Sequence, residues 1–114
     1  MIGVIFEVWP KDGHQDEYLE TAADMRSILD DFDGFISVER FQSLTEPGKL
    51  LSLSFFRDQE TVERWRNTIE HRQAQAVGRQ KFFDHYRIRV VETLRDYTKN
   101  ERKEVPADSL AVHG

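Results

Sequence analysis

The chain has 114 residues, a net charge of −5 and no cysteine, so a single domain is expected and disulfides, thiolate metal sites and thiol nucleophiles are excluded. It shows neither a basic-and-apolar leader nor a long apolar run, which predicts a soluble cytoplasmic protein without membrane contact. Acidic residues interleave with the arginines of the second half, unlike the basic footprint of a nucleic-acid-binding protein. Those arginines are Arg64, Arg66, Arg72 and Arg79.

The first part of the chain predicts a strand followed by a helix. Residues 2–8 alternate in the two-residue period of a strand, which the turn cluster at residues 10–13 ends. Residues 14–32 carry apolar side chains at helical spacing, and Gly34 suits the left-handed cap that often ends a helix. The apolar stripe of this helix comprises Tyr18, Ala22, Met25, Leu29 and Phe32.

The rest of the chain predicts two strands joined by a hairpin, a second helix and a last strand. The predicted elements are strands 35–44 and 50–57, a hairpin loop at 45–49, a helix opening at Asp58 or Gln59, further helix over 70–85, and a strand over 86–95. The order β-α-β-β-α-β predicts an α+β, ferredoxin-like fold. We assign residues 1–97 to this domain and residues 98–114 to a C-terminal tail.

Both faces of the predicted sheet are rich in apolar side chains. The face expected beneath the helices carries Val4, Phe6, Val8, Ile36, Val38, Leu51, Leu53, Phe55, Ile88 and Val90. The opposite face is expected to carry Ile5, Trp9, Phe35, Phe41, Leu50, Phe56 and Val91, with Glu7, Glu39, Ser52, Ser54, Arg87 and Arg89 among them. Aromatic side chains that bury about 150 Å² each, at about 25 cal/mol per Å², would strongly favour association. We therefore predict a twofold homodimer packed sheet against sheet.

Trp65 is the first candidate site residue. Val62, Trp65 and Ile69 share one face of the second helix, which directs the indole towards the core. A buried indole needs an acceptor for its N–H group, and either a substrate oxygen or a main-chain carbonyl can supply one. The residue alone therefore leaves two interpretations open, a small-molecule site and core packing.

Several segments carry a family resemblance: residues 33–41, 46–58, 62–67, 70–75 and the pair Gly78-Arg79. With them the chain resembles, over residues 1–97, the antibiotic biosynthesis monooxygenase superfamily of small dimeric α+β-barrel proteins. That superfamily includes quinone-forming and haem-degrading members. The resemblance implies a dimeric barrel and an oxygenase activity on a small molecule.

Two positions separate this sequence from the haem-degrading members. Those proteins typically carry an asparagine in the first strand and an iron-ligating histidine well after the helix tryptophan. This chain has Phe6 and Glu7 in the strand and Ala74-Gln75-Ala76 in the region of the ligand. The resemblance therefore favours members that oxidise phenols or quinols without a cofactor or metal, and haem degradation stands as a third hypothesis.

Such a reaction needs a base, a donor for the developing oxyanion and a dry aromatic pocket. Under the resemblance, Trp65 would donate its N–H group and His71 would accept the proton. The apolar walls would come from Phe6, Phe55, Phe82 and Phe83, and molecular oxygen would be the second substrate. A carboxylate base, Glu7 or Glu39, stays open as an alternative.

A different class of function fits the same residues. His71 can equally lie on the helix surface beside Glu70 and Arg72, and the pair Phe82-Phe83 can equally be core packing. The second hypothesis is therefore a non-catalytic dimer that binds an aromatic ligand or serves a stress response.

Overall fold

The computed structural model describes residues 1–75 and 83–108, and for residues 69–75 it describes the backbone alone. In this part of the chain the elements are β1 (Ile2–Pro10), α1 (Gln15–Leu29), β2 (Phe35–Gln42), β3 (Leu50–Phe56), α2 (Gln59–Gln75) and β4 (Phe83–Glu92). The predicted α+β, ferredoxin-like order is confirmed. Neither helix of the described chain combines the length and apolar character needed to cross a membrane.

The strands form one antiparallel sheet in the order β2-β3-β1-β4. Because β1 lies between β3 and β4, each of its residues from Ile2 to Val8 has one partner on either side. Residues directly opposite one another in antiparallel strands point to the same face. The register therefore sorts the sheet into rows of four side chains that run from β2 to β4.

The even-numbered residues of β1 define the rows beneath the helices. From one end of the sheet to the other these rows are Gln42–Leu50–Val8–Tyr86, Arg40–Ser52–Phe6–Ile88, Val38–Ser54–Val4–Val90 and Phe35–Phe56–Ile2–Glu92. We call them the Val8 row, the Arg40 row, the Val38 row and the Phe56 row.

The core beneath the helices consists of two clusters, one towards each end of the sheet. The first contains the buried residues Leu29, Val38, Phe56 and Trp65. The second contains the buried residues Val8, Tyr18 and Leu50, with Phe6 and Phe83 packed against them. Helix α1 bridges both ends, because its buried stripe runs from Tyr18 through Ala22 to Leu29. The predicted helical stripe is thus confirmed at these positions.

The predicted faces of β3 are wrong. Leu50 pairs with Val8 and Phe56 pairs with Ile2, so the even-numbered residues of β3, Ser52 and Ser54 included, face the helices. Leu51, Leu53 and Phe55 consequently lie on the opposite face, next to the odd-numbered residues of β1. Alternation along a strand fixes which residues share a face but leaves open which face meets the helices.

A register shift between Phe35 and Ser37 also reverses the predicted faces of Phe35 and Ile36. Phe35 pairs with Phe56 and packs against the first core cluster, whereas Ile36 is exposed and borders a recess on the opposite face. A bulge adds a residue to one strand and thereby changes the face of those before it, which simple alternation does not foresee.

The last strand also begins earlier than expected. Residues 83–85 belong to β4, so the predicted helix over 70–85 is wrong at its end, and residues 76–82 lie outside the described residues. After β4 the Thr93 amide still donates to the Met1 carbonyl at 3.0 Å. Farther along, the Asp96 amide donates to a Glu104 carboxylate oxygen at 3.2 Å. The tail assigned to residues 98–114 stays a prediction.

A compact junction sets the start of α2 against the start of β2. The Arg57 amide donates to the Gly34 carbonyl at 2.7 Å. Asp58 then caps the helix, because its Oδ1 accepts from the Thr61 amide at 2.8 Å and from Thr61 Oγ1 at 2.6 Å. These hydrogen bonds, helped by Arg57, lower the pKa of Asp58 to about 2. Thr61 is fully buried against Gly34, so the junction has no spare volume.

Replacing Gly34 by alanine should therefore destabilise the protein more than the same change at Gly48. Both glycines have a positive φ, of 92° and 88°, which costs an alanine roughly 1–2 kcal/mol. A Cβ at Gly34 would in addition lie 2.5 Å from Thr61 Oγ1, whereas nothing lies within 4 Å of a Cβ at Gly48. Urea unfolding of the two variants measures the difference, and equal midpoints would contradict the packing described for Thr61.

Candidate functional site

Polar side chains interrupt the middle of the helix-facing side of the sheet. Val8 and Phe56, in the outer rows, are 0% and 1% exposed. Between them, Ser52 and Ser54 stand on a central strand and are only half-buried, as is Arg40. At the β4 end of the same rows Ile88 is 55% exposed. The central strands are thus closed at Val8, Leu50 and Phe56 and only half-buried at the four central-strand residues of the middle rows, whereas β4 is exposed in outer and middle rows alike.

We call this surface the central trough. It is formed by Arg40, Ser52, Phe6 and Ile88 of the Arg40 row and by Ser54, Val4 and Val90 of the Val38 row. Mostly apolar side chains with a few polar groups among them are the usual lining of a small-molecule site.

One wall of the central trough is an aromatic cluster. The Phe6 ring centroid lies 6.5 Å from that of Tyr18, 6.1 Å from that of Phe83 and 5.9 Å from that of Tyr86. Tyr18 and Phe83 meet edge to face at 5.5 Å. Edge-to-face packing of this kind is favourable and holds each ring in a fixed orientation.

Tyr18 and Arg40 form the polar end of this wall. Burial raises the pKa of the Tyr18 phenol, and the neighbouring Arg40 guanidinium offsets part of that rise by charge and hydrogen bonding. The phenol therefore remains protonated at neutral pH and can donate a hydrogen bond. The Nε atom of Arg40 is shielded from solvent and has no hydrogen-bond partner among the residues described.

The structure separates the residues predicted from the sequence. Phe6 and Phe83 lie together in the aromatic wall, whereas Phe55 lies on the opposite face of the sheet, where it borders a recess of about 270 Å³. The side chain of His71 and the whole of Phe82 lie outside the described residues. The assignment of Phe55 to the helix-covered side is therefore wrong.

Trp65 belongs to the first core cluster. Its indole is 7% exposed and meets Phe32 edge to face, with ring centroids 5.4 Å apart. It packs in the cluster that contains Val38, the residue that pairs with Ser54 of the central trough. In the described part of the chain, Trp65 is thus a core residue beside the trough rather than an open wall of it.

Sequence reasoning missed four residues that the structure places at the central trough: Tyr18, Arg40, Ser52 and Ser54. The sequence places Tyr18 only in a helical stripe and predicts both serines on the opposite face. The sequence does offer a signal for the two serines, because their hydroxyls alternate with Leu51 and Leu53. Polar side chains beneath a helix need hydrogen-bond partners and therefore indicate a special site. Among the residues described, no group of three or more histidine, aspartate or glutamate side chains is arranged to hold a metal ion.

The fold and the sequence together define the class of protein. The model of the antibiotic biosynthesis monooxygenase family matches residues 1–77, and the chain belongs to this family. It is also 42% identical over 105 residues to the "Jasmonate monooxygenase ABM" of the fungus Pyricularia oryzae. That match covers 92% of this chain but 49% of the relative, so the chain spans about half the length of the fungal protein.

Other relatives extend the comparison to bacteria. The Bacillus subtilis protein YqjZ is 31% identical over 78 residues, which cover 68% of this chain and 67% of its own. Among solved structures, Rv0793 from Mycobacterium tuberculosis matches with a TM-score of 0.72 at 17% identity, over 85% of this chain and 98% of its own. PA3566 from Pseudomonas aeruginosa matches with a TM-score of 0.69 at 17% identity, over 82% and 94%. These structural matches support the fold.

The packing of Trp65 predicts a stability effect that is independent of any activity. Trp65→Ala should lower the free energy of unfolding by about 3–5 kcal/mol, because it leaves a cavity among Leu29, Val38 and Phe56. Trp65→Phe should cost less, since a ring remains against Phe32. Urea unfolding followed by circular dichroism measures both, with Leu19→Ala on the exposed side of α1 as the control. Near-wild-type stability of Trp65→Ala would contradict the core position.

Proposed function

We propose that this protein is a cofactor-independent monooxygenase that oxidises a small aromatic phenol or quinol to a quinone. Membership of the family supports an oxygenase activity. The observation that carries the aromatic substrate is the central trough, whose half-buried middle rows border the aromatic cluster of Phe6, Tyr18 and Phe83. A flat ring can pack against such a wall with its polar edge towards the trough hydroxyls.

The proposed reaction needs no external reductant. The substrate loses its phenolic proton to a base and passes an electron to molecular oxygen, and the two radicals combine at a ring carbon. Loss of water then leaves the quinone, so one oxygen atom enters the ring and the other leaves as water. The reaction requires a base, hydrogen-bond donors for the oxyanion, and an aromatic wall that shields the bound ring from bulk water.

The roles of individual residues remain part of this proposal. We propose His71 of α2 as the base and Trp65 as the oxyanion donor, which requires the indole N–H group to reach the trough from the closed cluster in which the ring packs. Phe6 and Phe83 are the proposed walls, with Phe82 next in sequence. Phe55 is not proposed, because it faces away from the central trough.

Oxygen uptake tests the activity directly. We expect the protein to consume oxygen with at least one member of a panel of dihydroquinones and phenols, and the panel should include jasmonate because one relative is named for it. Ser54→Leu should lower the rate at least tenfold because it fills the floor of the central trough. Ser27→Leu, the same change on the exposed surface of α1, should leave the rate unchanged.

Two other results would replace this function with another. Ligand binding without oxygen consumption would favour a non-catalytic aromatic-binding protein, a role that the closed packing of Trp65 also permits. Such binding would stabilise the fold by about 2.7 kcal/mol at a ligand concentration one hundred times the Kd. A Soret shift on addition of haem would instead favour the haem-degrading branch.

We further propose that the protein works as a homodimer joined through the face of the sheet that the helices do not cover. Phe41 and Val91 on that face are 41% and 40% exposed in the single chain. Glu7 at its centre is held by Lys49 Nζ at 2.6 Å and by Arg89 Nη1 at 3.0 Å. Because its charge is matched by these two cations, the face can be buried at lower electrostatic cost.

Sedimentation tests the dimer. The wild type should sediment as a dimer, and Leu53→Glu should shift it to the monomer because it places a charge in the middle of the buried face. Leu19→Glu, on the exposed side of α1, should remain dimeric. A wild-type monomer at micromolar concentration with native circular dichroism would contradict this proposal.

A further inference from the structure

We propose that Arg40 is the anion-binding residue of the central trough and that the ligand is an aromatic compound with a carboxylate group. The carboxylate would lie at Arg40 and Ser52, and the ring would lie towards Phe6 and Ile88. This inference deepens the proposed function and rests on it for the position of the site.

The electrostatic situation of Arg40 favours a bound anion. Three arginines of the described chain have carboxylate partners: Arg26 with Asp30 at 3.0 Å, Arg57 with Asp33 at 3.4 Å and Arg89 with Glu7 at 3.0 Å. Arg40 shares with Arg102, which lies after the last strand, a solvent-shielded Nε atom that has no hydrogen-bond partner among the residues described. Arg40 is half-buried, yet it has no carboxylate within 4.0 Å among the residues described. A guanidinium that is partly removed from water without a counter-charge is costly to the fold. A bound anion would offset that cost.

The order of side chains along the Arg40 row favours a ligand that is polar at one end and apolar at the other. Its members follow one another across the sheet as a cation, a hydroxyl, an aromatic ring and an aliphatic side chain, namely Arg40, Ser52, Phe6 and Ile88. Adjacent strands lie about 4.8 Å apart, so the backbones of Arg40 and Phe6 are separated by roughly 10 Å. The arginine side chain covers part of this separation, and a benzene ring with a carboxylate group spans the rest. The row is thus polar at β2 and apolar at β4, and it matches an amphiphilic ligand end to end.

Tyr18 contacts both the polar and the apolar part of the row. Its ring packs on Phe6 at 6.5 Å and its hydroxyl interacts with Arg40. The protonated phenol can donate to a carboxylate oxygen while the planar guanidinium donates through two N–H groups, and hydrogen bonds to a charged acceptor are the strong ones. In the four rows, the acidic residue nearest to Arg40 is Glu92, which belongs to the Phe56 row, two rows away.

Calorimetric binding of 4-hydroxybenzoate, salicylate and 4-hydroxyphenylacetate, each compared with its methyl ester, tests this assignment. The wild type should bind at least one acid ten times or more tightly than its ester, because only the acid carries the anion. Arg40→Gln should abolish this preference and leave the affinity for the ester unchanged. Arg40→Lys should retain part of it, since lysine keeps the charge but loses the paired N–H donors.

Two further variants show whether a change in binding comes from the removed group or from loss of the fold. Arg66→Gln removes the same charge from an exposed position of α2 and should keep the wild-type preference. Tyr18→Phe retains the ring against Phe6 and removes only the hydroxyl, so it should weaken acid binding and spare the ester. Wild-type binding of acids no tighter than of esters, failure of every acid to bind, or an unchanged preference in Arg40→Gln would each overturn the assignment.

Calorimetric binding and oxygen uptake together distinguish the anion site from the proposed monooxygenase activity. An Arg40-dependent preference for acids without any oxygen uptake would support the anion site and contradict the monooxygenase. Oxygen uptake that is equal for acids and esters, and equal in Arg40→Gln, would support the monooxygenase and contradict the anion site.

Discussion

The antiparallel register of β1 between its two neighbours is the constraint on which the rest of this structure depends. Val8 pairs with Leu50 on one side and with Tyr86 on the other, and every other residue of the sheet core follows from that alignment. A shift by one residue would turn Phe6 and Val8 away from the helices and bring Glu7 beneath them. The cost of burying an unpaired carboxylate there makes the alternative register unfavourable.

Within this register, the composition of the rows divides the sheet into parts with different roles. The Val8 and Phe56 rows contain the large buried side chains and hold α1 and the start of α2. The Arg40 and Val38 rows carry the half-buried serines of the central strand β3. The central trough therefore coincides with the part of the sheet where small polar side chains take the place of large apolar ones. The opposite face carries apolar side chains around the ion pairs of Glu7 and provides a second surface for association.

Some site residues were accessible to sequence reasoning and others were not. The family resemblance and the aromatic character of Phe6 and Phe83 led to two residues that do pack together at the trough. Arg40 gave no local signal, because an arginine in a half-exposed strand is ordinary until its row is known. The sequence predicts a buried Trp65, but only the contacts with Phe32 and Leu29 distinguish a core residue from an open wall.

Local sequence patterns determined the number, kind and order of the elements, because hydrophobic periodicity and glycine-containing turns act over a few neighbouring residues. They also determined the family, through motifs that lie along the chain. Only the tertiary structure decided which face of β3 meets the helices, how the bulge at Phe35 changes the register, and that Arg40, Ser52 and Phe6 stand side by side. Those features arise from pairing between strands distant in sequence, and alternation within one strand is equally consistent with either face.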